Sequence, residues 1–345
     1  VPKVSVVIPT WNRADLLAQT IDKIEHQTMA RDSYEVIVID NKSTDHTQKV
    51  LNQKSRVYRK LKTFSQSKRG AAATRNVGIQ AATGDIILFI DDDIQAEPDL
   101  IAAHWKYHQR FPGSSIIGGV ITPWGNCSDA FLRYLRDRGI FNPYSIACGP
   151  MDFSYYHTGN VSTARSVLLD VRGFNEQFAI YGMEDIELGY RLERQGSRMV
   201  HGPDAKAVHQ YFPTYLQFIQ RCEQAGYSLG KMIELHPELR SRFVEGGKRT
   251  RLLKRVHGLY RVFSTAARPL TGALARWEER RGCGQVSPVL DTHYYWALRY
   301  HFFLGYRQYT RDFRQGKNGD GVLRFEKKQV SGLAITDPKT FRQAR

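Results

Sequence analysis

Ile86-Ile-Leu-Phe-Ile90, followed at once by Asp91-Asp92-Asp93, is the stretch on which the reading of this chain turns. Five apolar residues in a row, preceded by Gly84, predict a short strand covered on both faces. Three carboxylates at its end repel one another and need a cation beside them. Hard oxygen ligands without cysteine favour Mg²⁺ or Mn²⁺, which commonly bridge to phosphates. A solvated acidic turn is the plainer alternative. The position at the carboxyl end of a central strand favours the metal and diphosphate reading.

Outward from that run the pattern repeats. Val4–Ile8 is a β-branched strand closed by Pro9-Thr10, and Leu16, Leu17, Ile21 and Ile24 then share one helical face behind Asp15. Glu35–Ile39 is a second buried strand, ending at Asp40 and the polar turn Asn41–Asp45. A helix is predicted from about Ala71 to Ala82, stopped by Gly84. Ser115–Val120 reads as a strand, residues 141–157 as a Tyr/Phe-rich loop, and Glu184 to about Gln195 as a helix. Strands alternating with helices predict an α/β domain over residues 1–210, its mostly parallel sheet flanked by helices. Ligands of such sheets bind beyond the carboxyl ends of the strands, where Pro9, Thr10, Asp40 and Asp91 all fall.

The charge is uneven. The 345 residues carry a net +16, yet residues 1–210 hold 25 Lys and Arg against 23 Asp and Glu. Residues 211–345 hold the other 25 against only 11, a basic, aromatic-rich and mainly helical module. Helical stretches are predicted at Leu252–Ala267 and His293–Tyr309, with joints at Gly246-Gly247 and Gly282-Cys-Gly284. Such a module faces an anionic partner or is simply a solvated surface. Stretches such as His293–Tyr306 suit an anionic membrane interface or packing against the catalytic part, and self-association is left open. The four cysteines form no CxxC pair, which predicts reduced thiols and a cytoplasmic setting. No leader and no membrane-spanning run is read, so any membrane contact is expected to be peripheral, on the inner face. No GxGxxG follows the first strand and there is no Walker loop, which counts against dinucleotide oxidoreductases and P-loop enzymes.

Other residues are candidates for chemistry. Glu184-Asp185 opens a helix after Tyr181-Gly182, and a helix N-terminus keeps a carboxylate ionised, as a general base requires. His209 closes Ala205-Lys-Ala-Val-His209 and reads either as a structural histidine or as a metal ligand. Arg75 either meets a base or phosphate or faces solvent, and Lys68-Arg69-Gly70 is a weaker phosphate candidate.

Together, Val4-Ser-Val-Val-Ile-Pro-Thr-Trp-Asn-Arg13, Val38-Ile-Asp-Asn-Lys-Ser-Thr-Asp45, Ala73-Thr-Arg-Asn-Val-Gly78 and Ile90-Asp-Asp-Asp93 resemble the GT-A glycosyltransferases of family 2. Gly159-Asn160, Gly182-Met-Glu-Asp185 and Val208-His209 extend the resemblance, which covers about residues 3–210. It implies a Rossmann-like GT-A fold and inverting, single-displacement transfer from a nucleotide-diphosphate sugar, usually of UDP. By the same resemblance Pro9, Thr10, Arg13 and Asp40 surround the base, and Arg75 touches the base or diphosphate. Asp91 and Asp92 serve ribose and donor sugar, and Asp93 holds Mn²⁺ or Mg²⁺ with His209. Asp185 is the implied base, with Glu184 orienting it or the acceptor. Asn160 and Gly182 fall on the side of the acceptor, a glycan or lipid-linked hydroxyl. Two other readings are a catalytically silent scaffold of this fold and a nucleic-acid-binding protein. The second leaves the acidic sites unexplained and has no recognisable binding motif, so no nucleic acid is expected.

Overall fold

Ile86–Ile90 lies in the middle of a nine-stranded sheet in the computed structural model, which describes residues 3–125, 127–140, 147–245, 270–282 and 284–317. The first half alternates as its sequence predicts: β1 (Val4–Thr10), α1 (Ala14–Glu25), β2 (Tyr34–Asp40), α2 (Thr47–Val57), β3 (Leu61–Ser65), α3 (Ala71–Ala81) and β4 (Ile86–Ile90). Then come β5 (Ile94–Ala96), α4 (Leu100–Arg110), β6 (Ser115–Ile121), α5 (Ala130–Asp137), β7 (Gly149–Met151), β8 (Asn160–Ala164), α6 (Arg165–Asp170), α7 (Glu184–Arg194) and β9 (Met199–His209). The strand order is β3-β2-β1-β4-β8-β6-β9-β5, with β7 also on β9.

The β3-β2-β1-β4 half is wholly parallel. Beyond β4 the sheet is mixed, which narrows the mostly parallel expectation. Strand β8 runs antiparallel to both β4 and β6, reached from β6 through α5, β7 and a 3-10 turn. β6 and β9 are parallel, while β5 and β7 run antiparallel to β9. Alternation along β1 divides the core: Val6 and Ile8 pack with Leu17, Ile21 and Ile24 of α1, whereas Val7 packs with Ile79 of α3. All five residues of β4 are buried. Its carboxyl end therefore delivers the Asp run to a fixed place at the edge of the sheet.

Residues after 210 do not form a separate core. Helix α8 (Tyr215–Leu235), a helix over residues 270–281 (α9) and α10 (Pro288–Arg314) follow. Phe218, Ile219, Leu290, Tyr294 and Leu298 join Trp124, Phe131 and Tyr134 in one cluster. Leu229, Met232 and Ile233 join Phe153, Phe178 and Tyr190 in another. The compositional change near residue 210 is not a packing boundary. Of the His293–Tyr309 aromatics, Tyr294 and Tyr309 are buried and the others half-buried, and none is among the large exposed apolar residues. That packing is one of the two roles read for the stretch, and it takes up Tyr294 and Tyr309. The Leu252–Ala267 stretch, Gly246-Gly247 and Cys283 lie outside the described residues.

Helices α8 and α10 make close backbone contact through glycines. A Cβ on Gly226 would sit 1.8 Å from the Phe302 carbonyl oxygen, and one on Gly305 would sit 1.9 Å from that of Glu223. His301 Nδ1 lies 2.6 Å from Glu223 Oε1 at the same crossing. The crossing fixes the roll of α8 and hence which of its side chains face the sheet edge. Gly305→Ala is expected to force the helices apart, costing about 1–3 kcal/mol. A melting temperature equal to that of the unmodified chain would contradict this.

Candidate active site

The β1–α1 turn places the first polar group. Asn12 adopts a positive φ of 52°, and its Oδ1 accepts from Thr44 N at 2.6 Å, which sets the direction of the following residue. Arg13 Nη1 then donates to Asp92 Oδ1 at 2.9 Å and Asp93 Oδ2 at 2.5 Å. Thr10 Oγ1 donates to Asp92 Oδ2 at 2.8 Å, and Asp92 O accepts from Thr20 Oγ1. The carboxyls respond differently. Burial pushes Asp92 up to about 6 although Arg13 opposes it. For Asp93 burial also acts upward, but His209 and Arg13 outweigh it and bring the group down to about 2.

Arg75 joins this cluster to a second one. It is 4% exposed on α3; Nη2 donates to Asp91 Oδ1 at 2.7 Å and Nη1 to Glu184 Oε1 at 3.3 Å. Glu184 and Asp185 begin α7 because the chain turns sharply before them, with φ of 98° at Gly182 and 69° at Met183. Asp185 Oδ2 meets His157 Nδ1 at 3.4 Å. Burial and the charge of Asp185 raise Glu184 to about 7, while Arg75 only partly offsets them. Burial also acts against ionisation of Asp185, but the hydrogen bond and charge of His157 prevail and lower its pKa. The recessed position of His157 disfavours its charge, yet Asp185 outweighs this and raises its pKa. Two adjacent carboxyls are thus driven apart, one ionised and one partly protonated near neutrality.

Both clusters face one cleft of about 540 Å³. Of the residues singled out from sequence, Pro9, Thr10, Arg13, Arg75, Asp91, Asp92, Asp93, Glu184, Asp185 and His209 line it. Three others have different positions from those expected. Asp40 ends β2 beside Thr10 but does not line the cleft, and its Oδ1 caps the turn by accepting from Ser43 N at 3.0 Å. Asn160 reaches the cleft wall, but its carboxamide is bonded within the fold. Nδ2 donates to Gly119 O and Ala205 O, and Oδ1 meets His104 Nε2 at 2.8 Å. It is a strut under the site, with both amide N–H groups taken. Gly182 packs against Ala225 of α8, where a Cβ would come within 3.0 Å, so it serves the turn. Sequence reading assigned no role to Trp11, His157, Tyr181, Arg221 or Gln224, which also line the cleft. For His157 the usable signal was adjacency to Gly159-Asn160. Arg221 was hidden among 25 basic residues.

Asp93 Oδ1 lies 3.3 Å from His209 Nε2, and both side chains are mostly buried. No group of three or more His, Cys, Asp or Glu stands together as a metal cage among the described residues. One carboxylate and one imidazole, left to be completed by phosphate oxygens, nevertheless fit the way Mg²⁺ and Mn²⁺ are held at nucleotide sites.

Residues 5–172 match the model of glycosyl transferase family 2. That stretch, just under half of the chain, is a glycosyl transferase family 2 domain. Residues 148–215 also match the model described as the N-terminal domain of galactosyltransferase, so Glu184, Asp185 and His209 fall within the second match. Among relatives of this chain, validoxylamine A glucosyltransferase of Streptomyces hygroscopicus subsp. jinggangensis is 31% identical over 230 residues. That alignment covers 58% of this chain and 53% of the relative, so the chain spans about half of that protein's length. The fold is similar to that of the mannosyltransferase PcManGT from Pyrobaculum calidifontis, solved in complex with GDP-Man and Mn²⁺. The TM-score is 0.56 at 18% identity, covering 88% of this chain and 87% of that one. It is also similar to residues 1–349 of S. aureus TarS, with TM-score 0.55 at 18% identity, covering 91% and 92%. These likenesses run through the C-terminal helices as well as the family 2 sheet.

Proposed function

We propose that this protein transfers a glycosyl group, with inversion, from a nucleoside-diphosphate sugar, of the UDP type, to a hydroxyl of a glycan or lipid-linked acceptor. The observation that carries the reading is the Asp91–Arg75–Glu184 bridge, which makes one site of the Asp92–Asp93–Arg13 cluster and the Glu184–Asp185–His157 cluster. Phosphate chemistry needs cations and a metal-binding carboxylate on one side. Hydroxyl activation needs an ionised carboxylate on the other. The cleft offers both.

In this reading Asp93 and His209 hold the divalent cation. When bound, the cation supplies Lewis-acid stabilisation of the departing diphosphate. Arg13 fixes Asp92 and Asp93 in place, and Arg75 does the same for Asp91 and Glu184. Asp185 accepts the proton of the acceptor hydroxyl as that oxygen attacks the anomeric carbon from the face opposite the leaving group. Glu184 Oε2, a buried oxygen with no hydrogen-bond partner, orients the acceptor hydroxyl. The test is a panel of UDP-, GDP- and dTDP-sugars with Mn²⁺, scored by nucleoside-diphosphate release and by the anomeric configuration of the product. Preference for GDP- or dTDP-sugars would overturn the uridine assignment, and retention of configuration would overturn the single displacement.

Peripheral attachment of the C-terminal module to an anionic membrane is the second part of the proposal, and among the described residues α9 offers the most exposed face for it. No helix among the described residues is long and apolar enough to cross a membrane. On α9 Leu270 is 74% and Trp277 48% exposed, with Arg276, Arg280 and Arg281 exposed beside them. An exposed Trp among arginines suits the headgroup layer. Trp277→Glu is expected to weaken binding to phosphatidylglycerol vesicles at low salt, read by co-sedimentation. Absence of binding by the unmodified chain would exclude the membrane role.

A further inference from the structure

Arg221 differs from Arg13 and Arg75, which line the same cleft. Arg13 and Arg75 are each committed to two carboxylates. Arg221, on the second turn of α8, makes no hydrogen bond or ion-pair contact among the described residues, although its charge acts on Asp93 and it lines the same cleft. It is held by rings: its guanidinium lies 4.5 Å from the Tyr211 ring and 4.9 Å from that of Tyr181. Tyr211 in turn stacks on His209 at 5.1 Å and 14°. A column thus runs from His209 through Tyr211 and Arg221 to Tyr181. One end is beside Asp93 and the other three residues before Glu184. Ring contacts orient a guanidinium while leaving its in-plane N–H donors free, and a planar fork of donors matches phosphate oxygens.

The placement is enforced from outside the cleft. The Gly226–Phe302 and Gly305–Glu223 approaches fix the roll of α8, and Gln224, one turn after Arg221, faces the same cleft. Helix α8 begins at Tyr215, where the second family match ends. Arg221 therefore lies beyond both family matches.

We propose that Arg221 is a catalytic residue that binds phosphate oxygens of the donor's leaving diphosphate, a charge delivered to the family 2 site by the C-terminal helices. This rests on the nucleotide-sugar reading above. An acceptor phosphate or carboxylate is the rival source of the same chemistry. As the sugar–phosphate bond breaks, the bonding electron pair stays on the diphosphate oxygen, and Arg221 meets the charge that develops there.

The test is titration calorimetry of UDP, GDP, UMP and GMP with Mn²⁺, on the unmodified chain, Arg221→Gln and Arg221→Lys. Turnover is measured alongside over a range of donor and acceptor concentrations. Arg221→Gln is expected to weaken the preferred nucleoside diphosphate by tenfold or more and its monophosphate far less, with kcat falling and Arg221→Lys recovering part of both. A loss confined to the KM for acceptor, with diphosphate affinity unchanged, overturns the proposal and assigns Arg221 to an anionic acceptor. Equal loss for di- and monophosphate also overturns it, as expected of mere distortion. If the unmodified chain binds none of the four nucleotides, the donor reading itself fails. If it binds them and Arg221→Gln matches it, only the Arg221 proposal fails. Circular dichroism melting of both variants separates binding loss from unfolding.

Discussion

Asp185→Asn is expected to lower kcat by about 10²–10⁴-fold, the range a positioned general base contributes, while donor affinity stays unchanged. The amide keeps the shape of the carboxylate at the start of α7 but cannot take a proton. The residues proposed to meet the donor, Thr10, Arg13 and Asp93, line the same cleft but make no hydrogen bond to Asp185. The effect on stability should depend on pH. The charge of Asp185 helps drive Glu184 up to about 7, after burial. A carboxyl whose folded pKa is raised above its unfolded value stabilises the fold at low pH and loses that contribution as pH rises through the folded pKa. Removing the neighbouring charge lessens this loss, while the lost pairing with His157 matters most at lower pH, where the imidazole is charged. Asp185→Asn should therefore compare better with the unmodified chain at pH 8 than at pH 5. Glu184→Gln mimics a state already partly populated near neutrality and should cost less turnover. Nucleoside-diphosphate release at saturating donor, with calorimetry of donor binding, checks the pair. Near-normal turnover in Asp185→Asn removes Asp185 from the role.

What the sequence could carry was whatever depended on local pattern. The buried strands Val4–Thr10, Tyr34–Asp40 and Ile86–Ile90 have apolar runs that mark them in the sequence, and the carboxyl ends of the first and third bring Thr10 and Asp91–Asp93 into one cleft. Strand β3 has four exposed residues of five, and α2 buries only Thr47, Val50 and Leu51, so neither leaves a hydrophobic signature. The acceptor side depended on tertiary contacts. Asn160 sits in a recognisable motif, yet only the structure reveals that His104, Gly119 and Ala205 consume its amide. His157 and Arg221 act through partners 28 and 10 residues or more away, Asp185 and the Tyr181–Tyr211 pair, and no spacing rule links them. The basic excess after residue 210 read as a surface property. In the fold, part of it turns inward to the cleft.

Arg75→Leu should give the largest loss of stability. Arg75 is buried between Asp91 and Glu184, and the cation is what makes two recessed carboxyls tolerable there. Breaking a buried pair by removing one partner costs about 3–5 kcal/mol, because it leaves uncompensated charge behind. The deficit should depend on pH, and its sign follows from Glu184. Burial and Asp185 already raise that carboxyl to about 7, with Arg75 acting downward. Without Arg75 its folded pKa climbs further from the unfolded value near 4.5. The folded state then holds a proton that the unfolded state releases, and stability falls as pH rises through this wider window. Melting curves at pH 5 and pH 8 should show a small deficit at the lower pH and a large one at the higher. Arg75→Lys keeps a charge but not the fork that reaches two carboxylates at once, so it should fall between the two. A deficit of equal size at both pH values would mean that Arg75 acts by packing against Phe174, whose ring lies 5.7 Å away, and not by neutralising the pair.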